Sequence, residues 1–91
     1  MPVVHLRVTG RVQGVGFRWF VCERAEKLGV SGWVKNTSAG DVEVAASGDE
    51  PQLAQLEAAV SRGPAGAKVQ RVERVSPPSG TSYPSPFRIE R

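Results

Sequence analysis

A glycine-rich segment near the start of the chain carries residue types that suit anion binding. Residues 10–18 read GRVQGVGFR, and apolar residues recur at helical spacing from Phe17 onward. No Ser, Thr, Asp or Asn stands just before this helix to cap it, and Arg18 places a cation at the positive end of the helix dipole. A phosphate would accept the free backbone N–H groups and pair with Arg18. We therefore predict an anion site, suited to phosphate, at Gly14, Val15, Gly16 and Arg18.

This loop does not fit the familiar phosphate-binding patterns. A Walker A loop needs a lysine after its glycines, and the dinucleotide fingerprint G-x-G-x-x-G needs glycine where Trp19 stands. Cys22 falls a turn inside the predicted helix, away from the cationic setting that lowers a thiol pKa. We therefore expect Cys22 to pack, which argues against a cysteine phosphatase. The missing lysine and glycine argue against a P-loop enzyme and a Rossmann-type enzyme.

Asn36 is the second candidate residue, and topology brings it toward the loop. In a right-handed β-α-β unit the first two strands run the same way, so the loop after the first strand and the end of the second share one edge of the sheet. Asn36 ends the second predicted strand, and its amide can hold a water beside a bound phosphate. Asn also favours turns, and Asn36-Thr37-Ser38 fits a glycosylation acceptor, which the lack of a signal-peptide pattern argues against.

The elements that position these residues follow from hydrophobic periodicity. It predicts strands at 3–11, 30–36, 41–46, 68–75 and 87–89, and helices at 17–28 and from about 48–51 to Gly63. Val69 and Val72 are three residues apart, a spacing that strand alternation does not give. The order β-α-β-β-α-β plus a short fifth edge strand predicts an α+β, ferredoxin-like α/β sandwich. We expect an antiparallel sheet with two helices on one face, and a single domain over residues 1–91.

Composition limits the function classes further. The 91 residues are 40% hydrophobic and 23% charged, which is typical of a globular domain. One cysteine and one histidine exclude an internal disulfide and a cysteine-based metal site, so we expect no metal and no cofactor. No run of about 20 apolar residues and no signal-peptide pattern is present, which predicts a cytoplasmic protein without a membrane partner. A net charge of +3, from scattered basic residues, is modest for a nucleic-acid binder.

Two motifs resemble the signatures of the acylphosphatase family, namely residues 10–18 and the segment Gly32-Trp33-Val34-Lys35-Asn36. Residues along almost the whole chain also fit that family: Gly40, Val42, Gly48, Gly63, Pro64, Ala67, Val69, Phe87 and Ile89. The resemblance implies metal-independent hydrolysis of the carboxyl–phosphate bond of small acyl phosphates to a carboxylate and inorganic phosphate. It implies that the loop of Gln13, Gly14, Val15, Gly16, Phe17 and Arg18 cradles the phosphate. It also implies that Arg18 binds the phosphate and that Asn36 positions the attacking water. Inorganic phosphate or sulfate would be a ligand, and we expect a monomer.

Two other functions stay open on the sequence. RNA-recognition domains share this order of elements, but the first and third strands lack the aromatic residues needed to stack bases, so we expect no nucleic acid. A non-catalytic phosphate-binding module on the same fold is the other alternative. We expect Trp19 and Trp33 to pack, and His5 to point away from the core and take no part in catalysis.

Overall fold

The computed structural model describes residues 2–14 and 16–90. Within these residues the elements follow the expected order, and the bounds of the first strand and the first helix are those predicted. The elements are β1 (Val3–Arg11), α1 (Phe17–Leu28), β2 (Ser31–Asn36), β3 (Val42–Ser47), α2 (Glu50–Arg62), β4 (Lys68–Arg74) and β5 (Arg88–Ile89). Neither α1 nor α2 is long and apolar enough to cross a membrane, and no other helix is described.

The strands form a mixed sheet in the order β4-β1-β3-β2-β5. β1 runs antiparallel to both β3 and β4, and β2 runs antiparallel to β3, which confirms the ferredoxin-like arrangement. β5 pairs with β2 in parallel, so the expectation of a wholly antiparallel sheet is wrong at this edge. After β4, at one edge of the sheet, the chain crosses to the other edge and adds β5 beside β2. Because β2 and β5 are far apart in sequence and are not joined by a tight hairpin, they can pair in parallel.

β4 pairs with β1 through an irregular register. Gly10 faces Val69 while Thr9 faces Arg71, so one residue of β4 is left over between these two pairs. A β-bulge of this kind shifts the alternation of side chains by one position. The shift explains why Val69 and Val72 are three residues apart and yet both pack against the core.

Both helices pack on one face of the sheet and enclose the core. Alternate strand residues point to this face because successive side chains of a strand lie on opposite sides. Burial of each large apolar side chain stabilises the fold by roughly 1.5–3 kcal/mol. The strands contribute Val4, Leu6, Val8, Val34, Val42, Val44 and Ala46, and the helices contribute Phe17, Val21, Ala25, Leu53, Leu56 and Val60.

The two helices are also joined by a polar contact at the start of α2. The backbone N–H of Asp49 donates to Oε1 of Gln52 at 2.8 Å, and Nε2 of Gln52 donates to the Leu28 carbonyl at 2.8 Å. Asp49 is the N-cap, within the segment where the sequence predicts the helix to open. One side chain therefore caps α2 and fixes it against the end of α1.

The middle of the opposite face of the sheet, around His5 and Trp33, is covered by residues 76–86, which we call the strap. The indole nitrogen of Trp33 donates to the Ser82 carbonyl at 3.1 Å, and the Tyr83 hydroxyl lies 3.1 Å from Nε2 of His5. The rings of Trp33 and Tyr83 both meet the His5 ring edge-on, with centroids 5.8 Å apart. His5 points away from the helices, as expected, but it is only 3% exposed because the strap covers it.

Candidate active site

The chain enters α1 through two glycines in the left-handed conformation. Gly14 has a φ of 76°, and Gly16, the residue before the helix, has a φ of 75° and a ψ of 19°. A Cβ added at either position would meet nothing within 4 Å, so space does not require glycine there. The backbone conformation does, because L side chains rarely adopt it. Val15, which the sequence analysis placed in this loop, lies outside the described residues.

The N-terminus of α1 retains free hydrogen-bond donors, as the sequence predicts. Gly16 is the N-cap, no described side chain caps this end, and the first turn contains no acidic residue. The first N–H groups of a helix have no partners within the helix, and they lie at the positive end of its dipole. An anion bound here would accept these hydrogen bonds and balance that partial charge.

Arg18 is the second residue of α1, and its side chain reaches the edge of the sheet that β5 forms. Its Nη1 donates to the Glu90 carbonyl, just beyond β5, at a long distance of 3.4 Å. No carboxylate of the described residues forms an ion pair with it. A guanidinium has five N–H donors, so most of them remain available to a ligand.

Asn36 is the last residue of β2 and lies on the helix side of the sheet. It shares that side with Val34, two residues earlier, whose side chain is part of the core. Its Oδ1 is buried and has no hydrogen-bond partner among residues 2–14 and 16–90. Leaving a buried polar atom unpaired costs roughly 1–3 kcal/mol, and such atoms are expected to meet a water or a ligand.

These residues line one small cavity of about 170 Å³. It brings together five of the predicted site residues from two separate parts of the sequence, namely Gly14, Gly16, Phe17, Arg18 and Asn36. A larger cavity of about 480 Å³ lies between the starts of β1 and α2 and contains none of them. The chemistry of the lining, rather than the volume, therefore identifies the candidate site.

Gln13 does not line the cavity but holds the loop in place. Its Nε2 donates to the Thr37 carbonyl at 3.0 Å and to the Asp41 carbonyl at 2.8 Å. Both carbonyls belong to the turn between β2 and β3, directly after Asn36. The Gln13 side chain thus fixes the glycine loop relative to Asn36.

Three residues that line the cavity are not predicted from the sequence: Val12, Trp19 and Ile89. The expectation that Trp19 packs is wrong, because this side chain is 64% exposed. The helical spacing predicts that Trp19 is exposed. The buried residues of α1 are Phe17, Val21 and Ala25, which share one face of the helix, and Trp19 does not lie on that face. Ile89 has no such local signal, because β5 reaches the cavity only by pairing with β2.

The chain's cysteine and histidine both lie outside the cavity lining. Cys22 Sγ lies 3.4 Å from the Phe87 carbonyl, and burial, followed by the nearby Glu26 carboxylate, raises the pKa of its thiol. His5 is held under the strap, and burial lowers its pKa in opposition to the charge of Glu43. The described lining contains no carboxylate, imidazole or thiol, so it can bind and orient a phosphate but offers no side-chain base.

Comparisons with known proteins agree on one family. A family model described as acylphosphatase matches residues 4–89. An acylphosphatase of Koribacter versatilis (strain Ellin345) is 49% identical over 83 residues, which cover 91% of this chain and 74% of that protein. An acylphosphatase of Thermococcus kodakarensis is 51% identical over 69 residues, or 76% of each chain.

Solved structures show the same relationship. The crystal structure of an acylphosphatase from Bacillus subtilis matches with a TM-score of 0.83 and 39% identity over the full length of both chains. The fold and nearly the whole sequence thus agree. The chain therefore belongs to the acylphosphatase family, whose enzymes hydrolyse acyl phosphates.

Proposed function

We propose that the chain hydrolyses small acyl phosphates in the cavity at the N-terminus of α1. The observation that carries this proposal is the lining of that cavity, where a glycine loop, Arg18 and Asn36 meet. The proposed reaction produces a carboxylate and inorganic phosphate.

The phosphate group of the substrate binds at the loop and at Arg18. The backbone N–H groups around Gly14 and Gly16 supply hydrogen-bond donors, and the guanidinium supplies a full positive charge. Phosphoryl transfer is catalysed largely by positioning and by stabilising charge on the transferring group. The free donors of Arg18 and the uncapped helix support this role.

Asn36 positions the attacking water. Its buried Oδ1 can accept a hydrogen bond from water, which aims an oxygen lone pair of that water at the phosphorus. Binding this water beside the phosphate converts an encounter in solution into an oriented attack within one complex.

The proton of the water passes to an oxygen of the substrate's own phosphate. The water oxygen bonds to phosphorus while the bond from phosphorus to the acyl oxygen breaks, and the acyl group departs as a carboxylate. Such a leaving group needs little protonation, so no general acid is required. The described lining holds no side-chain base and none of the carboxylate, imidazole or thiolate ligands that metal ions prefer, which supports a metal-independent reaction.

Hydrolysis of acetyl phosphate and benzoyl phosphate in excess EDTA tests the proposal directly. We expect rapid turnover by the wild type and a loss of roughly 10³–10⁵ in turnover for Arg18→Ala, with a similar loss for Arg18→Gln. Arg24→Gln is the matched control, because Arg24 lies on the same helix but does not line the cavity. A folded Arg18→Gln protein with near-wild-type turnover would remove this residue from the mechanism.

The pH dependence tests the absence of an enzyme base. We expect kcat/KM to follow the ionisation of the substrate phosphate alone, with the same profile in wild type and in His5→Gln. Profiles measured on two acyl phosphates separate substrate from enzyme ionisations. An essential enzyme group with a pKa near neutrality, common to both substrates, would contradict the proposed proton transfer.

The non-catalytic alternatives receive less support from the geometry. In RNA-recognition domains the bases stack on the open face of the sheet. Here the strap covers the middle of that face, and His5 beneath it is almost completely buried. A folded wild type that binds phosphate without turning over acyl phosphates would instead support a phosphate-binding module.

A further inference from the structure

Two of the large exposed hydrophobic residues in the described part of the chain lie at the proposed active site. Within residues 2–14 and 16–90 the large exposed hydrophobic residues are Val3, Trp19 and Ile89, which are 43%, 64% and 38% exposed. Two of the three, Trp19 and Ile89, line the cavity that also holds Arg18 and Asn36. Single exposed hydrophobic residues are normal, but a pair of them at the mouth of a polar cavity is typical of a binding surface.

The size of the cavity indicates what this pair contacts. Pockets that enclose a ligand measure roughly 300–1,000 Å³, whereas this one measures about 170 Å³. It is too small to enclose both a phosphate and a bulky acyl group. With the phosphate bound at the glycine loop and Arg18, the acyl group must extend over the rim.

The elements hold the two side chains in place for such a contact. Trp19 follows Arg18 in the first turn of α1, so its position is tied to that of the phosphate ligand. Ile89 lies on β5, which is fixed by pairing with β2 and by the hydrogen bond from Arg18 to Glu90. A tryptophan loses little conformational freedom on binding because it has only two side-chain torsions, and its ring offers a wide apolar face.

We propose that Trp19 and Ile89 form an acyl-binding rim that makes the enzyme prefer acyl phosphates with an aromatic or bulky apolar acyl group over acetyl phosphate. Trp19 contributes most through its ring face, and Ile89 supports the same contact from β5. This inference rests on the proposed function, because it needs the phosphate to bind in the same cavity. It assigns a role in specificity to two residues that the proposed chemistry does not use.

Binding of stable analogues tests this inference without requiring turnover. In acetylphosphonate and benzoylphosphonate a carbon–phosphorus bond replaces the scissile linkage, and calorimetry gives the Kd of each. Aromatic contacts contribute roughly 0.5–1.5 kcal/mol, so the wild type should bind benzoylphosphonate about two- to tenfold more tightly than acetylphosphonate. In Trp19→Ala this ratio should fall to about one, whereas Trp19→Phe should retain most of it.

Val3→Ala provides the matched control, since Val3 is an exposed hydrophobic residue away from this cavity and should leave the ratio unchanged. Ile89→Ala should lower the ratio by a smaller factor than Trp19→Ala. A ratio near one in the wild type, or a Trp19→Ala protein that loses both ligands equally, would overturn the acyl-binding rim and leave the phosphate site intact. Failure of the wild type to bind either phosphonate would instead refute the phosphate site, and the rim with it.

Discussion

At the scale of single residues, the proposed chemistry depends on two side chains with different tasks. Arg18 supplies charge and several donors, and the backbone N–H groups beside it share the work of binding phosphate. Asn36 has no such support, because no other described residue of the lining carries a side-chain amide or hydroxyl. In the proposed mechanism, loss of Asn36 would therefore leave no side chain to position the water.

We expect Asn36→Ala to lower kcat by roughly 10²–10³, the range seen when a single oriented hydrogen-bonding group is removed from an active site. The affinity for inorganic phosphate, measured as a competitive inhibition constant, should change little because the loop and Arg18 remain. Lys35→Gln, at the adjacent position on the opposite face of β2, is the control. Equal losses in kcat and in phosphate affinity would show that Asn36 binds phosphate rather than water.

The sequence predicts both of these residues but not the rim beside them. Arg18 is evident from its sequence neighbourhood, since a cation in the first turn of an uncapped helix conflicts with the helix dipole. Asn36 follows from the β-α-β topology, which places the ends of both strands at one edge. Ile89 cannot be placed this way, because two residues of strand have no periodicity and their partner, β2, lies some fifty positions earlier in the sequence.

At the scale of elements, the site depends on how the glycine loop is fixed to the neighbouring turn. Gly14 and Gly16 allow the loop to expose its N–H groups, but their conformational freedom also permits other loop shapes. The two hydrogen bonds from Gln13 to the Thr37 and Asp41 carbonyls restrict that freedom. They set the position of the loop relative to the end of β2.

We expect Gln13→Leu to destabilise the fold by about 1–3 kcal/mol, since it removes two hydrogen bonds of roughly 0.5–1.5 kcal/mol each. Its KM for acyl phosphates should rise because the loop is no longer fixed. Urea denaturation and steady-state kinetics measure the two effects. Gln55→Leu, at an exposed position of α2, is the control, and unchanged stability and KM in Gln13→Leu would show that the loop holds its shape without this side chain.

At the scale of the whole molecule, the sheet separates two buried layers of different character. The larger layer lies under the helices and is apolar. The smaller one lies under the strap and joins His5, Ala45, Trp33 and Tyr83, with Ala45 facing both His5 and Trp33 in the register. The sequence does not reveal this second layer, because the strap has four prolines and no periodic pattern.

The second layer predicts how stability depends on pH. Burial lowers the pKa of His5 below its ordinary value of 6.5, although Glu43 opposes the shift. The unfolded chain therefore binds a proton at this residue more readily than the folded one. The stabilisation due to neutral His5 is complete above about pH 6.5 and is lost as the pH falls toward the lower pKa of the folded state.

Urea denaturation at several pH values tests this expectation. Between about pH 7 and 5 the free energy of unfolding should fall more steeply in wild type than in His5→Gln, which cannot take up the proton. Tyr83→Phe is a companion variant for His5→Gln, because it keeps the ring of the strap and removes only the hydroxyl near His5. Identical slopes in wild type and His5→Gln would show that protonation of His5 does not act on the fold.

The hydrogen bond from Arg18 to the Glu90 carbonyl joins residues that are synthesised far apart in time. Arg18 is synthesised 72 residues before Glu90, and β5 follows every other described element. A nascent chain could form α1 and β1 early, yet the cavity would lack one wall until residues 88–90 left the ribosome and docked beside β2. Catalytic competence would then appear late and abruptly, as a sign that the whole sheet had assembled.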